Sequence, residues 1–525
     1  MKRIKTSFFF FCFFSPVVLF AQSENIDQAA MTKIRNEGLQ NSRVMDIAFH
    51  ITELSGPRVT NSPGFMRAAN YAKNQFTQWG LVNSQLDPWG DFGKGWELQK
   101  SYIAITSPWY RTLIAYPKTW SAGTNGLQSG EVLLITAKDS AALDAYRGKL
   151  KGKVLIPDNL ISYQAGIEAA GSRFTDEELE KMSAVTEAED TAAMRRRRER
   201  SKEQNVVPRE VITTLKKMAE KEGAIALLSS APQDHGGTIL VLQAGPYKID
   251  DPANFPDIAI GLEDYNMIVR LLRNNTPVKM DVDIKTKFQT ADTKGYNVIA
   301  EIPGTDKNVK DQVVMLGAHL DSWPAAVGAT DDAAGACVMM EAVRILKAIG
   351  IQPKRTIRIA LWSGEEEGLL GSRAYVKKTF GDPATMKLLP AHDKFYVYFN
   401  LDNGTGKIRG IHLQGNKAAR NIFEQWFAPF NDLGAKTITL RNTGSTDHIS
   451  FDAVGLPAFQ FIQDPLITQH SNMDSYDHLS PDDLKQAATV VAGLVYDAAM
   501  WDQNFPRKPL PKPLSVDPIT GSQKQ

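Results

Sequence analysis

Val313-Val314-Met315-Leu316-Gly317-Ala318-His319-Leu320-Asp321-Ser322-Trp323 is the stretch on which the fold turns. Residues 313–318 read as an apolar strand, and His319 stands at its carboxyl end. That is where α/β folds place their chemistry. A single His-x-Asp is a weak signal, since a structural histidine with an aspartate partner reads the same way. Its neighbours decide the matter.

Downstream and upstream, strands and helices alternate. Strands are expected at 297–302, 313–318, 356–363, 394–401 and 456–461, and helices at 333–348, 415–429 and 482–500. The alternation predicts an α/β fold with a mixed, largely parallel central sheet flanked by helices.

Four further segments add ligand-type side chains at element ends. Gly328-Ala329-Thr330-Asp331-Asp332-Ala333-Ala334-Gly335 sets two carboxylates at the start of an apolar helix. One can cap the helix, which leaves the other for a metal. Strand 356–363 runs out into Ser363-Gly364-Glu365-Glu366-Glu367-Gly368. Three adjacent acids after a buried strand repel one another when ionised, and a bound dication relieves that repulsion. Asp402 follows strand 394–401 in the same manner. His470 lies in a loop after strand 456–461. Two histidines and three carboxylates suit zinc. They are one ligand too many for a tetrahedral site, but with one bridging carboxylate they serve two ions about 3.5–4 Å apart.

The rest of the chain frames this core. Residues 25–89 read as mostly helical, interrupted by the turn-rich Ser55–Gly64. From about Thr119 to Lys285 the character changes. Short apolar strands are expected at 132–135, 154–156, 224–228 and 238–242, with a polar helical insertion between the second and third. Thr175-Asp176-Glu177-Glu178 has the form of a capping box. The run Arg195-Arg196-Arg197-Arg198-Glu199-Arg200 suggests nucleic acid at first sight. Glu187, Glu189 and Asp190 nearby favour a solvated helix face instead. Residues 506–525 carry no periodicity and read as a flexible tail.

The 525 residues are too many for one ordinary core, so two or three domains are expected. A formal net charge of +1 sets up no field toward nucleic acid or an anionic membrane. Lys2, Arg3 and Lys5 precede an apolar run from Phe8 to Phe20, which reads as a secretory signal over residues 1–21 with export to the periplasm or beyond. An uncleaved anchor is the alternative, but the run is short and Ser15-Pro16 interrupts it. Only Cys337 would remain afterwards, in an apolar helix, as a core residue.

Taken together, the five motifs resemble the co-catalytic zinc aminopeptidases and carboxypeptidases, the family that includes glutamate carboxypeptidase and the transferrin receptor ectodomain. His319-Leu320-Asp321-Ser322-Trp323 looks most like its secreted plasma-type branch. The resemblance covers the N-terminal helices and about residues 290–500. It implies two zinc ions held by His319, Asp331, Glu366, Asp402 and His470, with Asp331 as the bridge. It implies Glu365 as general base to a metal-bridging hydroxide, and Asp321 as the residue that orients His319. Asn403, Thr446-Asp447-His448 and Asp474 would line or brace the pocket. The peptidase domain would comprise residues 22–118 and 286–505. Residues 119–285 resemble an inserted protease-associated domain, with Gly152-Lys153-Val154-Leu155-Ile156 its most typical segment. The implied activity is that of an aminopeptidase or dipeptidase on short peptides, with no stable membrane association. A glutamate-type carboxypeptidase is the alternative, and a binding protein that keeps zinc for structure is a further one. Oligomeric state stays open.

Overall fold

The structure is a computed structural model that describes residues 26–163, 171–186, 189, 208–252, 254–466 and 468–513. The expected signal, the arginine run and the end of the tail lie outside the described residues.

Two eight-stranded sheets organise the chain. In the first, the strands run in the order Val82–Asp91, Lys294–Ile302, Thr356–Trp362, Val313–His319, Phe395–Asn400, Ala458–Gln463, Ile408–His412, Thr437–Thr439. The four strands at its centre are mutually parallel, and antiparallel strands flank them on both sides. Side chains alternate between two cores, as the two-residue period of a strand requires. Val298, Val314 and Leu316 face one core with helices Pro63–Gln78, Ala334–Ala348 and Pro481–Met500. Ile299 and Met315 face the other with Tyr375, Val376 and Phe451. Helices therefore cover both faces, and the expected α/β class with a mixed sheet holds.

The second sheet lies between the first two strands of the first sheet in sequence. Its order is Arg111–Thr112, Gly95–Ser107, Lys279–Gln289, Gln128–Ile135, Val154–Pro157, Ala226–Ser229, Asp257–Ile260, Ala115–Pro117. Helix Arg209–Glu222 packs Val211, Leu215 and Ala219 on one face, against Leu155 and Leu227. Helix Leu262–Arg273 packs Tyr265, Ile268 and Val269 on the other, against Val154 and Leu228. Helix Asp176–Ser183 starts with the expected capping box of Thr175 and Glu178. It docks on the first sheet, where the Thr439 hydroxyl donates to the Met182 carbonyl.

Three local expectations change. Residues 82–91 form a strand rather than helix. It is an edge strand with no buried residue, so it lacks the alternation that marks a half-buried strand. Residues 238–242 form no strand; they make an isolated bridge, Leu240 to Ser471 of the other unit. Asp257–Ile260, enclosed by Pro256 and Gly261, is a strand that sequence periodicity did not mark. No helix among the described residues is long and apolar enough to cross a membrane.

Candidate metal centre

The four central parallel strands all point their carboxyl ends to one place. Val313–His319 ends on His319 itself, Thr356–Trp362 is followed by Glu365 and Glu366, and Phe395–Asn400 by Asp402. Ala458–Gln463 leads into the loop of His470. Close strand packing helps: a Cβ on Gly317 would lie 2.5 Å from the Ala360 carbonyl oxygen and 2.8 Å from the Tyr398 hydroxyl.

The side chains converge as two triads that share Asp331. His319, Asp331 and Asp402 each offer a ligand atom within 4.8 Å of the others, and so do Asp331, Glu366 and His470. Asp331 divides its oxygens between them. Its Oδ1 lies 3.1 Å from His319 Nε2, and its Oδ2 lies 3.1 Å from His470 Nε2. His470 Nε2 also lies 3.1 Å from Glu366 Oε2, and His319 Nε2 lies 3.8 Å from Asp402 Oδ1.

Neighbours fix each ligand. His319 Nδ1 faces the Asp321 backbone carbonyl at 3.0 Å, and a carbonyl can only accept. The proton therefore sits on Nδ1 and leaves the Nε2 lone pair for a metal. The Asp321 carboxylate does something else: it accepts the backbone N–H groups of Glu365 and Glu366, at 3.3 and 3.2 Å. Asp321 thus orients His319 through its main chain and the two glutamates through its side chain. Asp332 accepts the Gly335 N–H at 3.0 Å, at the start of helix Ala334–Ala348. Asp474 accepts the backbone N–H groups of Thr330 and Asp331. Asn403 donates to the Phe461 carbonyl, and Thr446 accepts from Asn400. His448 lies in the core on Gln414 and the Thr443 carbonyl, away from solvent.

Other contributors carried no sequence signal. Arg58 is fully buried and donates to the carbonyls of Leu320, Val327 and Gly328, the ends of the loop that joins His319 to Asp331. Thr60 donates to Glu367 Oε2 at 2.8 Å. Both lie in the segment that sequence patterning marks only as a turn.

The donor set fits cations. Burial raises the Glu366 carboxyl to about 7, and the Asp331 charge adds to this against the pull of His470. Burial lowers His470, but its hydrogen bonds to Asp331 and Glu366 outweigh that and hold it up at about 10. In the absence of metal, the cluster therefore recruits protons to balance its acids. Glu366 Oε1 is buried with no hydrogen-bond partner, as an oxygen reserved for an ion would be. Trp323, Ala326, Gly328, Asp331, Glu366, His470, Ser471 and Asp474 line a recess beside this triad.

The fold is a mixed α/β sheet with two His/carboxylate triads at the carboxyl edge of its parallel strands. Residues 297–495 match the sequence profile described as Peptidase family M28. The matched segment carries His319, Asp331, Glu366, Asp402 and His470, and the match agrees with the family that the sequence resembles. Carboxypeptidase Q of Mus musculus is 28% identical over 293 residues, 55% of this chain and 59% of the relative. Aminopeptidase YwaD of Bacillus subtilis is 33% identical over 203 residues, 37% of this chain and 42% of the relative. The chain thus spans about three fifths or less of the length of these curated relatives. Among solved structures, a peptidase M28 precursor from Shewanella amazonensis shares the fold, with a TM-score of 0.63, 23% identity and coverage of 92% of this chain and 98% of that one. BSAP, a zinc aminopeptidase from Bacillus subtilis, gives a TM-score of 0.55 at 20% identity, with coverage of 88% and 95%.

Proposed function

We propose that the protein is a zinc-dependent exopeptidase that binds two zinc ions and cleaves short peptides from a free amino end or as dipeptides. The observation that carries this reading is Asp331, with one oxygen turned to each histidine. His319, Asp331 and Asp402 would hold one ion, and Asp331, Glu366 and His470 the other. Bound zinc supplies a Lewis acid for the scissile carbonyl and lowers the pKa of water.

Glu365 is the general base in this reading. It takes a proton from the attacking water and delivers it to the leaving amine. Its carboxyl is held well above the usual range by burial and by the charges of Asp402, Asp447 and Glu366, against the pull of His319. Asp321 keeps Glu365 and Glu366 in register by holding both backbone amides.

The recess supports the amino-end reading through what it lacks, a Lys or Arg for a substrate carboxylate. Asp331, Glu366 and Asp474 line it, and none of its lining residues is Lys or Arg. The carboxypeptidase named among the relatives keeps a second reading in play, a glutamate-type carboxypeptidase. One activity screen decides, with zinc-loaded protein and three substrate sets: free dipeptides, amino-blocked peptides and carboxyl-blocked peptides. Loss of turnover with a blocked amine supports the amino-end reading; indifference to that block overturns it. The basic head and apolar run of residues 2–20 further support export, and residues 119–285 support a protease-associated unit beside the cleft.

A further inference from the structure

Residues 237–241 belong to the second sheet's unit, yet Gly237, Ile239 and Val241 hydrogen-bond to the loop that carries His470. The Val241 N–H donates to the His470 carbonyl at 2.9 Å. The Asn472 N–H donates to the Ile239 carbonyl at 3.2 Å. The Asn472 side chain closes the clip from both ends: Oδ1 accepts the Ile239 N–H at 2.9 Å, and Nδ2 donates to the Gly237 carbonyl at 3.0 Å. Ile239 and Val241 are buried together with Ala259, and Ala325 of the His319–Asp331 loop packs against them. The clip is stiffened from its own side by Asp234, which accepts the N–H groups of Ala231 and Leu240.

What the clip holds is unusual. His470 has φ +59°, a left-handed backbone that residues with a Cβ seldom adopt. The rotation that aims His470 Nε2 at Asp331 and Glu366 is therefore one the free loop would tend to leave. We infer that residues 237–241 are a positioning strap for the ligand His470, joined to its loop chiefly through Asn472. Occupancy of the Asp331–Glu366–His470 triad and docking of the strap are then thermodynamically linked. Because linkage is reciprocal, whatever strengthens one strengthens the other. This inference rests on the reading of His470 as a metal ligand.

Zinc titration of the metal-free full-length protein against a chromophoric chelator tests it. Wild type takes two equivalents, and His470→Ala loses one. Asn472→Ala should bind one equivalent as wild type does and the other at least tenfold more weakly. Asp234→Asn, which loosens the strap without touching the peptidase loops, should shift the same equivalent in the same direction by a smaller factor. It also serves if Asn472→Ala does not fold. Hydrogen exchange gives the reverse readout: zinc should slow the amides of residues 238–242 in wild type. Wild-type zinc affinity in the foldable strap variants, or amides at 238–242 indifferent to zinc, overturns the strap. Retention of both equivalents by His470→Ala sinks the metal reading instead, and the strap with it.

Discussion

Glu365 and Glu366 are neighbours with different surroundings. Glu366 pairs with His470 and has a buried Oε1 with no hydrogen-bond partner among the described residues, whereas Glu365 is not part of either triad. Glu365→Gln should therefore retain zinc and fold while kcat falls by roughly 10²–10⁴-fold. Metal content and turnover on the same sample check this; near-normal turnover would remove Glu365 from its role. His470 gives a pH signature. In the metal-free protein its pKa is raised from 6.5 to about 10, so its stabilising contribution is complete below 6.5 and is lost as pH rises through 10. The melting temperature of chelator-treated protein should fall between pH 7 and 10 more steeply than that of zinc-loaded protein. Equal slopes would contradict this. The ligand-type residues were legible because each sits where a strand or helix pattern stops. Arg58 was not, because it acts on carbonyls of a loop some 260 residues away, with 262 separating it from Leu320. Arg58→Met would remove the side-chain donor from the Leu320 and Val327 carbonyls, whereas Gly328 keeps the Ala333 N–H; at about 1–3 kcal/mol for each buried acceptor left unsatisfied, it should lower the urea midpoint.

Helix Ala334–Ala348 joins the site to the core. Almost its whole surface is buried, and its first turn is seated on the Asp332 carboxylate. Gly335 allows that seat: a Cβ there would lie 2.3 Å from the Leu401 carbonyl and 2.4 Å from Asp332 Oδ1. Gly335→Ala should push this helix start away from Asp402 and cost about 1–3 kcal/mol through overpacking. Zinc affinity should fall as well, measured by titration beside a denaturation curve. The helix itself was plain in the sequence, since a long apolar run after paired acids has few other readings. The edge strand Val82–Asp91 was not, because neither face is buried and its identity comes from pairing with residues 294–301. Residues 238–242 have strand composition but are spent on holding another loop.

For the molecule as a whole, the triads hold several acids together that only a cation or protons can balance. Zinc should stabilise the folded chain by mass action, about 2.7 kcal/mol for one site at a free concentration 100-fold above its dissociation constant. A chelator should lower the melting temperature reversibly, and an unchanged melting curve would argue against ions in these triads. A shift in composition near Thr119 marked a second unit, but Gly95–Ser107, Arg111–Thr112 and Ala115–Pro117 of its sheet lie before that boundary; its tie to His470 was not visible either, since hydrogen bonds between 237–241 and 470–472 leave no local pattern.

The way the two sheets are joined has a consequence of another kind. Asp91 pairs with Lys294, and a few residues on Gly95 pairs with Gln289. The second unit thus leaves and re-enters the first at adjacent points, like cargo loaded into the opened tip of a hairpin. Such a junction could be sealed by a short turn from Asp91 to Lys294 without stretching the remaining chain. The shortened protein would keep the strand ends that carry His319, Glu366 and Asp402. It would lose the hydrogen bonds that residues 237–241 make to the loop of His470, so one unit's fold bears on the geometry of the other's site.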